Sequence, residues 1–320
     1  MKNSVKQHAS ALAAVLACLA LALVLYHSLA GGTLLQSSPY NSYALQAENW
    51  LAGRNYIANG ENYTWLELAI YQGRYYQSFP PVPAVLMLPF VAAAGEWSAI
   101  PGNLIAMGLA LLCAGGVYAC CMRGGMQPVT CAFFTLFVSM GSNVFWMSTS
   151  DGVWFLAQVC ALGFAFWGLF FAQGGNAVQD AAASLCMALA VGCRPFYALL
   201  LACWLGWQFY QRRSLKRILP ALLPAVVRAA CMMAYNFARF GSVTEFGHNY
   251  LPEFVRAENG QFSLTYLVPN LLQLLRPVTL DAQGQLHFEI YNGFLFFAAN
   301  PLFLLAMVRG LLLRLPGHQA

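Results

Sequence analysis

The sequence predicts an all-α polytopic membrane protein, a single membrane domain over residues 1–320 with roughly 8–9 transmembrane helices of about 20 apolar residues each. Two observations support this fold class. Apolar residues make up 60% of the chain and charged residues 8%, whereas soluble domains carry about 25% charged residues. Long apolar stretches also recur along the whole chain. This composition excludes a cytosolic enzyme, a nucleic-acid-binding domain and a disordered protein.

The predicted membrane segments follow the apolar stretches in chain order. They lie near residues 9–30, 82–98, 103–121, 127–147, 153–172, 181–210, 218–238 and 288–313. The first stretch follows Lys2 and Lys6 and could be mistaken for a signal peptide. It is longer than the roughly 7–15 apolar residues of a signal-peptide core, so it predicts a retained first helix.

Two long polar stretches, 31–81 and 239–287, separate the apolar segments and hold most of the acidic residues. Loops of this length are usually functional or disordered, and these are too rich in aromatic residues to be disordered. Within the first loop, the helical spacing of Tyr40, Tyr43 and Trp50 predicts an amphipathic helix lying in the membrane interface.

Basic residues set the predicted orientation. Lys/Arg clusters favour the cytoplasmic side of a membrane, so the N-terminus, the segment 212–217 and the basic residues after 308 are predicted to be cytoplasmic. Both long loops then lie on the opposite side.

Two arrangements between the first loop and residue 212 satisfy this orientation. In one, 82–98 crosses fully and 181–210 is a single helix, which leaves Asp151 inside. In the other, the proline-rich segment 80–95 only dips into the membrane and 181–210 breaks at Arg194–Pro195, which places Asp151 outside. We favour the second, because proline disfavours helix at the preceding residue, but both stay open.

Composition and motifs predict no cofactor and no nucleic-acid partner, and a divalent metal stays open without a motif that supports it. The net charge of +5 is typical of loop charges that fix orientation. The ten cysteines lie in or beside apolar segments, where a thiol behaves as a small hydrophobe. The chain has no CxxC pair, no phosphate-binding GxxxxGK[ST] loop and no HExxH motif.

Ionisable groups within or beside apolar segments are candidate functional residues, because a charge in hydrocarbon costs about 2.5–3.5 kcal/mol on insertion scales. Asp151 either caps the helix that begins at residue 152 or faces a cavity. Arg194 needs an anion or carbonyls from another element, and a lipid phosphate is one candidate. Arg239 lies where an apolar segment meets the second loop. His248, in that loop, is a second polar candidate there.

Four stretches of the chain resemble the GT-C membrane glycosyltransferases, a superfamily that includes the protein O-mannosyltransferases and bacterial relatives. The most specific is Gly73 to Pro89, which is similar to the end of the first extracytoplasmic loop and the start of the second helix. Residues 43–54, Arg194–Pro195 and the run from Tyr235 to Gly247 add weaker similarity in the same order.

The resemblance implies an enzyme of the cell envelope, in a bacterial cytoplasmic membrane, that moves a sugar from a polyprenyl-phosphate donor to a glycan, lipid or protein acceptor. Its other partners would be membrane lipids. In such enzymes an acid of the first loop is the catalytic base. Residues 31–47 contain no acid, and Asn41 stands about where one is expected. The candidates are therefore Glu67 and, second, Glu48.

The resemblance also suggests residues that bind the substrate. The set consists of Arg74, Tyr75, Tyr76, Asp151, Arg194, Arg239 and His248. Cations would hold the lipid phosphate, and aromatic faces would pack against the sugar. Two further functions stay open: a lipid or sugar transporter resembling a flippase, and a non-catalytic membrane subunit that kept the fold and lost the base.

Overall fold

The computed structural model describes residues 2–256, 258–260, 263–277, 279–287, 304, 308 and 309. The chain divides into two compact units, Met1–Pro252 and Glu253–Ala320. The apolar segment predicted at 288–313 lies, except for residues 304, 308 and 309, outside the described residues.

The described chain is mostly helical. In the first unit the helices are α1 (Lys2–Leu29), α2 (Ser42–Leu51), α3 (Val82–Ala94), α4 (Gly102–Arg123), α5 (Pro128–Met140), α6 (Val144–Met147), α7 (Val153–Ala172), α8 (Ala177–Val191), α9 (Ala198–Arg212) and α10 (Leu215–Phe240). Within the described residues, 4 helical stretches are long and apolar enough to cross a membrane. They are Ser4–Leu29, Gly102–Arg123, Val153–Ala172 and Ile218–Phe240.

Helix α7 is central to the first unit, where it packs against α4 on one side and α8 on the other, and α8 packs in turn against α10. Small residues allow this close packing. A Cβ at Gly168 of α7 would lie 2.8 Å from Met187 Cγ and 3.3 Å from the Ala183 carbonyl oxygen, both on α8. The main hydrophobic core joins α7 to α2, α3 and α4.

The apolar stretch 181–210 is not one helix. Helix α8 ends at Val191 and α9 begins at Ala198. Between them Arg194 is extended, with φ −143° and ψ 117°, because the ring of Pro195 crowds a helical conformation at the residue before it. The break at Arg194–Pro195 predicted in the second arrangement is therefore confirmed. Helix α3, over the proline-rich segment, has 13 residues and is too short to span a membrane by itself.

The first long loop is folded onto the helices. The predicted helix is present as α2, and the Asn41 side chain caps it by accepting from Ala44 N at 3.0 Å. The loop also contains a hairpin that the sequence did not predict, formed by β1 (Leu68–Tyr71) and β2 (Arg74–Gln77) in antiparallel pairing. Its two turn residues, Gln72 and Gly73, have φ values of 50° and 72°, as in the turns that match strand twist in two-residue hairpin loops.

Among the described residues of the second unit, the regular elements are short. Helix α11 (Pro252–Val255) crosses the boundary of the two units, and α12 (Leu267–Leu274) follows it. Strands β3 (Thr279–Leu280) and β4 (Leu286–His287) pair antiparallel, with Thr279 opposite His287.

Candidate functional site

The structure brings a carboxylate and a guanidinium together on one tryptophan. Trp154, in the first turn of α7, donates from Nε1 to Glu67 Oε2 at 3.3 Å. The Trp154 carbonyl oxygen accepts from Arg194 Nη2 at 2.8 Å. Glu67 is exposed, and Arg194 and Trp154 are half-buried. Three distant segments of the chain therefore meet at the start of a candidate membrane span.

Aromatic rings complete this group. The Arg194 guanidinium carbon lies 5.7 Å from the ring centre of Phe79, and Phe79 meets the ring of His248 edge to face at 6.0 Å. Together with Glu67 and Trp154, these residues form what we call the Trp154 cluster. It contains an acid, which can accept a proton. It also contains a cation and several flat apolar surfaces.

Local sequence explains how two of these residues reach the cluster. The register of the hairpin pairs Leu68 with Gln77, so Glu67 and Ser78 flank the open end, where Ser78 Oγ donates to the Glu67 carbonyl oxygen at 3.0 Å. Phe79 follows directly. Arg194 reaches the cluster because the break between α8 and α9 leaves its backbone extended.

Asp151 occupies a different environment, in a buried network at the base of the first loop. Its carboxylate accepts from Ser37 Oγ at 2.5 Å, Ser38 N at 2.7 Å and Asn41 Nδ2 at 2.6 Å. A Cβ on Gly102 would overlap this carboxylate. The interpretation of Asp151 as the cap of α7 is wrong, because Gly152 is the N-cap residue and no side chain caps that helix.

The environment of Asp151 also affects its ionisation. The residue is fully buried, and burial raises the pKa of its carboxyl group above the ordinary value, while the hydrogen bonds from Ser37, Ser38 and Asn41 act in the opposite direction. Asn41, which stands about where the resemblance implies an acid, thus donates to an acid from another segment.

Glu48, the second candidate base, is half-buried on α2. Its Oε1 accepts from the backbone N–H of Trp97 at 3.1 Å, at the start of a short 3₁₀ turn over Trp97–Ala99. This contact stabilises the link between α2 and the segment after α3.

The three hairpin candidates lie along β2 and contact other residues. The exposed Arg74 has its guanidinium carbon 4.7 Å from the ring centre of Tyr56. Tyr75 pairs its backbone with Ile57. Tyr76 is buried and packs on Phe240 with ring centres 5.1 Å apart.

Arg239, at the end of α10, is 5% exposed. Its Nη1 donates to the Gln77 carbonyl oxygen at 2.7 Å and its Nη2 to Asn236 Oδ1 at 3.2 Å. The guanidinium carbon lies 3.9 Å from the ring centre of Tyr235. Arg239 thereby joins α10 to the hairpin.

An apolar groove with a cavity volume of about 210 Å³ lies between α3, α4 and α7. It is lined by Leu86, Leu109, Leu112, Cys113, Val159, Cys160, Gly163, Phe164 and Trp167. Cys160 in this lining belongs to the same buried core as Cys193, the residue before Arg194. The groove therefore lies beside the core that extends to the break between α8 and α9.

A second arginine, Arg228 of α10, lies close to the end of α8. A Cβ at Gly192 would lie 2.2 Å from Arg228 Nη2, so the Arg228 guanidinium of α10 reaches the end of α8. In the part of the chain that the structure describes, no hydrogen-bond or ion-pair partner is found for Arg228. Across the same residues, no group of three or more His, Cys, Asp or Glu side chains could hold a metal ion.

Sequence reasoning found Glu67, Arg194 and His248 but missed Phe79 and Trp154, which hold them together. A signal was available for Trp154, since a tryptophan in the first turn of an apolar helix lies where aromatic residues concentrate at membrane interfaces. No family model, curated protein or solved structure matches the chain.

Proposed function

We propose that the protein is an integral membrane glycosyltransferase, with 8–9 transmembrane helices in all, that transfers a sugar from a polyprenyl-phosphate donor to an acceptor outside the cytoplasm. The observation that carries the proposal is the joint attachment of Glu67 and Arg194 to Trp154. An acid beside a cation at the start of a membrane span suits a substrate whose phosphate lies at the membrane surface.

Glu67 is the proposed general base. Its exposed carboxylate takes the proton from the acceptor hydroxyl as that oxygen attacks the anomeric carbon of the donor. The new glycosidic C–O bond forms while the bond from the anomeric carbon to the phosphate oxygen breaks. The lipid phosphate leaves with the bonding electron pair.

Arg194 is the proposed partner of that leaving phosphate. Its Nε is buried and has no hydrogen-bond partner in the described residues, so the guanidinium retains donor capacity after binding the Trp154 carbonyl. Hydrogen bonds between a guanidinium and a phosphate are among the strong ones in proteins. Arg228, beside Gly192, adds a second positive charge near the same place.

The apolar groove between α4 and α7 suits the hydrocarbon chain of the donor. Its lining is almost wholly apolar, and it lies within two candidate spans. The hydrocarbon chain of the donor would then enter this groove from the lipid bilayer while the phosphate of the donor reaches Arg194. Orientation follows from the basic residues, with the N-terminus and 212–217 in the cytoplasm and the Trp154 cluster outside.

A non-catalytic membrane subunit is the second candidate. It is favoured by one observation: Asn41 stands in the region where an acid is expected, and its amide caps α2 and donates to Asp151. An experiment on donor binding measures binding separately from sugar transfer. It therefore also distinguishes a glycosyltransferase from a non-catalytic subunit.

Replacement of Arg194 tests the proposed donor site. Arg194→Ala should weaken binding of a polyprenyl phosphate by about 10–100-fold, since hydrogen bonds to charged groups contribute about 1.5–3 kcal/mol. Binding is measured with the protein in lipid nanodiscs and undecaprenyl phosphate as the probe. The matched control is Arg123→Ala, because Arg123 contacts Gln179 and Phe170 instead.

The control variant should bind as the wild type does. Equal binding by Arg194→Ala and Arg123→Ala would contradict a phosphate role for Arg194. Donor binding without any transfer of sugar by the wild-type protein would favour the non-catalytic subunit.

A further inference from the structure

The turn between α9 and α10 concentrates positive charge beside a candidate membrane span. Helix α9 ends at Arg212 and α10 begins at Leu215, and the span Ile218–Phe240 follows within α10. Residues 212–217 contain four basic residues and no acid, and residues 181–244 contain no aspartate or glutamate at all. The positive charge of this turn is therefore not balanced by acids nearby in the sequence.

One acid reaches this turn from another helix, and it pairs with Arg212. Asp180 of α8 is 1% exposed, and its Oδ2 accepts from Arg212 Nη2 at 2.6 Å. This ion pair fixes the end of α9 against the start of α8. In the described part of the chain no ion pair is found for Arg213, the next residue, so its charge stays available to another anion.

Arg213 is exposed and is held with its guanidinium at the surface. Its Nε donates to the Tyr210 carbonyl oxygen at 2.9 Å, and its guanidinium carbon lies 4.7 Å from the ring centre of Tyr210. Across the described residues, these contacts leave both Nη atoms of Arg213 without a hydrogen bond. Two free N–H₂ groups side by side match the oxygens of a phosphate, which a guanidinium binds in pairs.

Aromatic rings beside Arg213 indicate the depth at which it lies. Trp207 and Tyr210 are spaced by three residues on α9, so they share a face of the helix, and both are more than half exposed. Their ring centres are 6.0 Å apart. Tryptophan and tyrosine in membrane proteins concentrate at the level of the lipid head groups. We call Trp207, Tyr210 and Arg213, with Lys216 and Arg217 that follow in the sequence, the Arg213 patch.

We propose that the Arg213 patch binds the phosphate head group of an anionic phospholipid such as phosphatidylglycerol. Arg213 donates from its Nη atoms to the phosphate oxygens, and the rings of Trp207 and Tyr210 pack beside the glycerol backbone and the upper acyl chains. Basic clusters next to a membrane span attract anionic lipids. Charge complementarity and the head-group level of the aromatic rings favour this partner over a soluble anion. The patch lies at the end of α9, whereas Arg194 lies before its start, and lipid binding there does not depend on sugar transfer.

Replacement of Arg213 tests the patch. The purified protein in a neutral detergent is titrated with phosphatidylglycerol, and native mass spectrometry measures the affinity for the first lipid bound. Phosphatidylcholine, which has a phosphate but no net charge, is the comparison lipid. Arg213→Gln removes the guanidinium from the patch. The matched control, Arg256→Gln, removes an exposed arginine from the second long loop.

We expect the wild type and Arg256→Gln to bind phosphatidylglycerol more tightly than phosphatidylcholine. Arg213→Gln should weaken the binding of phosphatidylglycerol by about fivefold, the usual effect of one basic residue near an anionic membrane surface, and leave the binding of phosphatidylcholine unchanged. Its Tm without phospholipid should equal that of the wild type, because Arg213 is exposed.

Two results with the lipids would overturn the proposal. They are equal affinities of the wild type for phosphatidylglycerol and phosphatidylcholine, and equal losses of affinity in Arg213→Gln and Arg256→Gln. Displacement of phosphatidylglycerol by inorganic phosphate would also overturn it, since the patch would then bind a soluble anion. None of these measurements uses a sugar donor, so their failure is distinct from a failure of glycosyl transfer.

Discussion

The two acids nearest the start of α7 have opposite surroundings. Asp151 is fully buried and accepts three hydrogen bonds of 2.5–2.7 Å from the first loop. Glu67 is exposed and accepts from the Trp154 indole at the longer distance of 3.3 Å. Trp154 is only three residues after Asp151, so both acids belong to the same region of the fold.

The comparison separates a carboxylate that holds the structure from one that can react. An acid whose oxygens are occupied by buried donors cannot take a proton from a substrate without breaking those bonds. An exposed acid such as Glu67 can be approached by a substrate from solvent. Sequence position alone had placed Asp151 in the candidate site, but its bonds make it the anchor of the first loop.

The largest expected effect is on Glu67. If the protein is an active transferase, Glu67→Gln should reduce sugar transfer by about 10²–10⁴-fold, the usual contribution of a general base, and leave donor binding intact. The amide keeps the shape of the side chain but cannot accept the proton at neutral pH. Transfer is measured with a labelled polyprenyl-phosphate sugar in membranes, and Glu61→Gln, in an exposed turn, is the matched control.

Other outcomes would move the assignment of the base. A loss of tenfold or less for Glu67→Gln together with a collapse of transfer for Glu48→Gln would give the role to Glu48. Full activity in both Glu67→Gln and Glu48→Gln would leave Asp151 as the next acid to test. The assignment of Asp151 to structure and of Glu67 to the reaction would then be wrong.

Asp151→Asn should lower the free energy of unfolding by about 1–3 kcal/mol, the usual cost of leaving a buried polar group unpaired. The new amide N–H₂ would face the N–H₂ of Asn41, which now donates to the carboxylate. The measurement is denaturant unfolding of the purified protein, followed by tryptophan fluorescence, with Glu61→Gln as the control. Unchanged stability with a loss of sugar transfer would instead place Asp151 in the reaction.

The smallest expected effect is on the pH dependence of stability. Because burial raises the pKa of Asp151 above its ordinary value of 3.8, the folded protein holds that proton more tightly than the unfolded chain does. The resulting stabilisation is full below the ordinary pKa and is lost as pH rises through the raised pKa. The free energy of unfolding of the wild type minus that of Asp151→Asn should therefore fall as the pH rises above the ordinary pKa of the carboxyl group and through the raised one. A stability difference that rises with pH would mean that the three hydrogen bonds lower the pKa of Asp151 by more than burial raises it.

Much of the helical fold was predictable, because apolar composition and proline act locally. The long helices followed from runs of apolar residues, and the break at Arg194 followed from Pro195. The helix α2 followed from the helical spacing of Tyr40, Tyr43 and Trp50, although it begins at Ser42. The hairpin at 68–77 was missed, since its four-residue strands carry little periodicity and its turn depends on a left-handed Gln72.

The contacts of the candidate site were harder to predict because they are not local. Glu67 and Trp154 are 87 positions apart, and Arg194 and Trp154 are 40 apart. Residue type suggested that Arg194 needs an anion or a carbonyl, but only the fold shows which carbonyl it uses. The placement of Arg239 on a backbone carbonyl of the hairpin depends in the same way on an unpredicted strand.

The shortness of α3 affects how deeply it can enter the membrane. Thirteen residues at 1.5 Å each make a helix of about 20 Å, about 10 Å less than the hydrocarbon core of a typical bilayer. In the arrangement in which residues 80–95 only dip into the membrane, such a helix would end inside the bilayer. The backbone N–H of Val82, the first residue of α3, donates to the Gly192 carbonyl oxygen at 3.1 Å, so the entry of α3 would lie at the same depth as the end of α8.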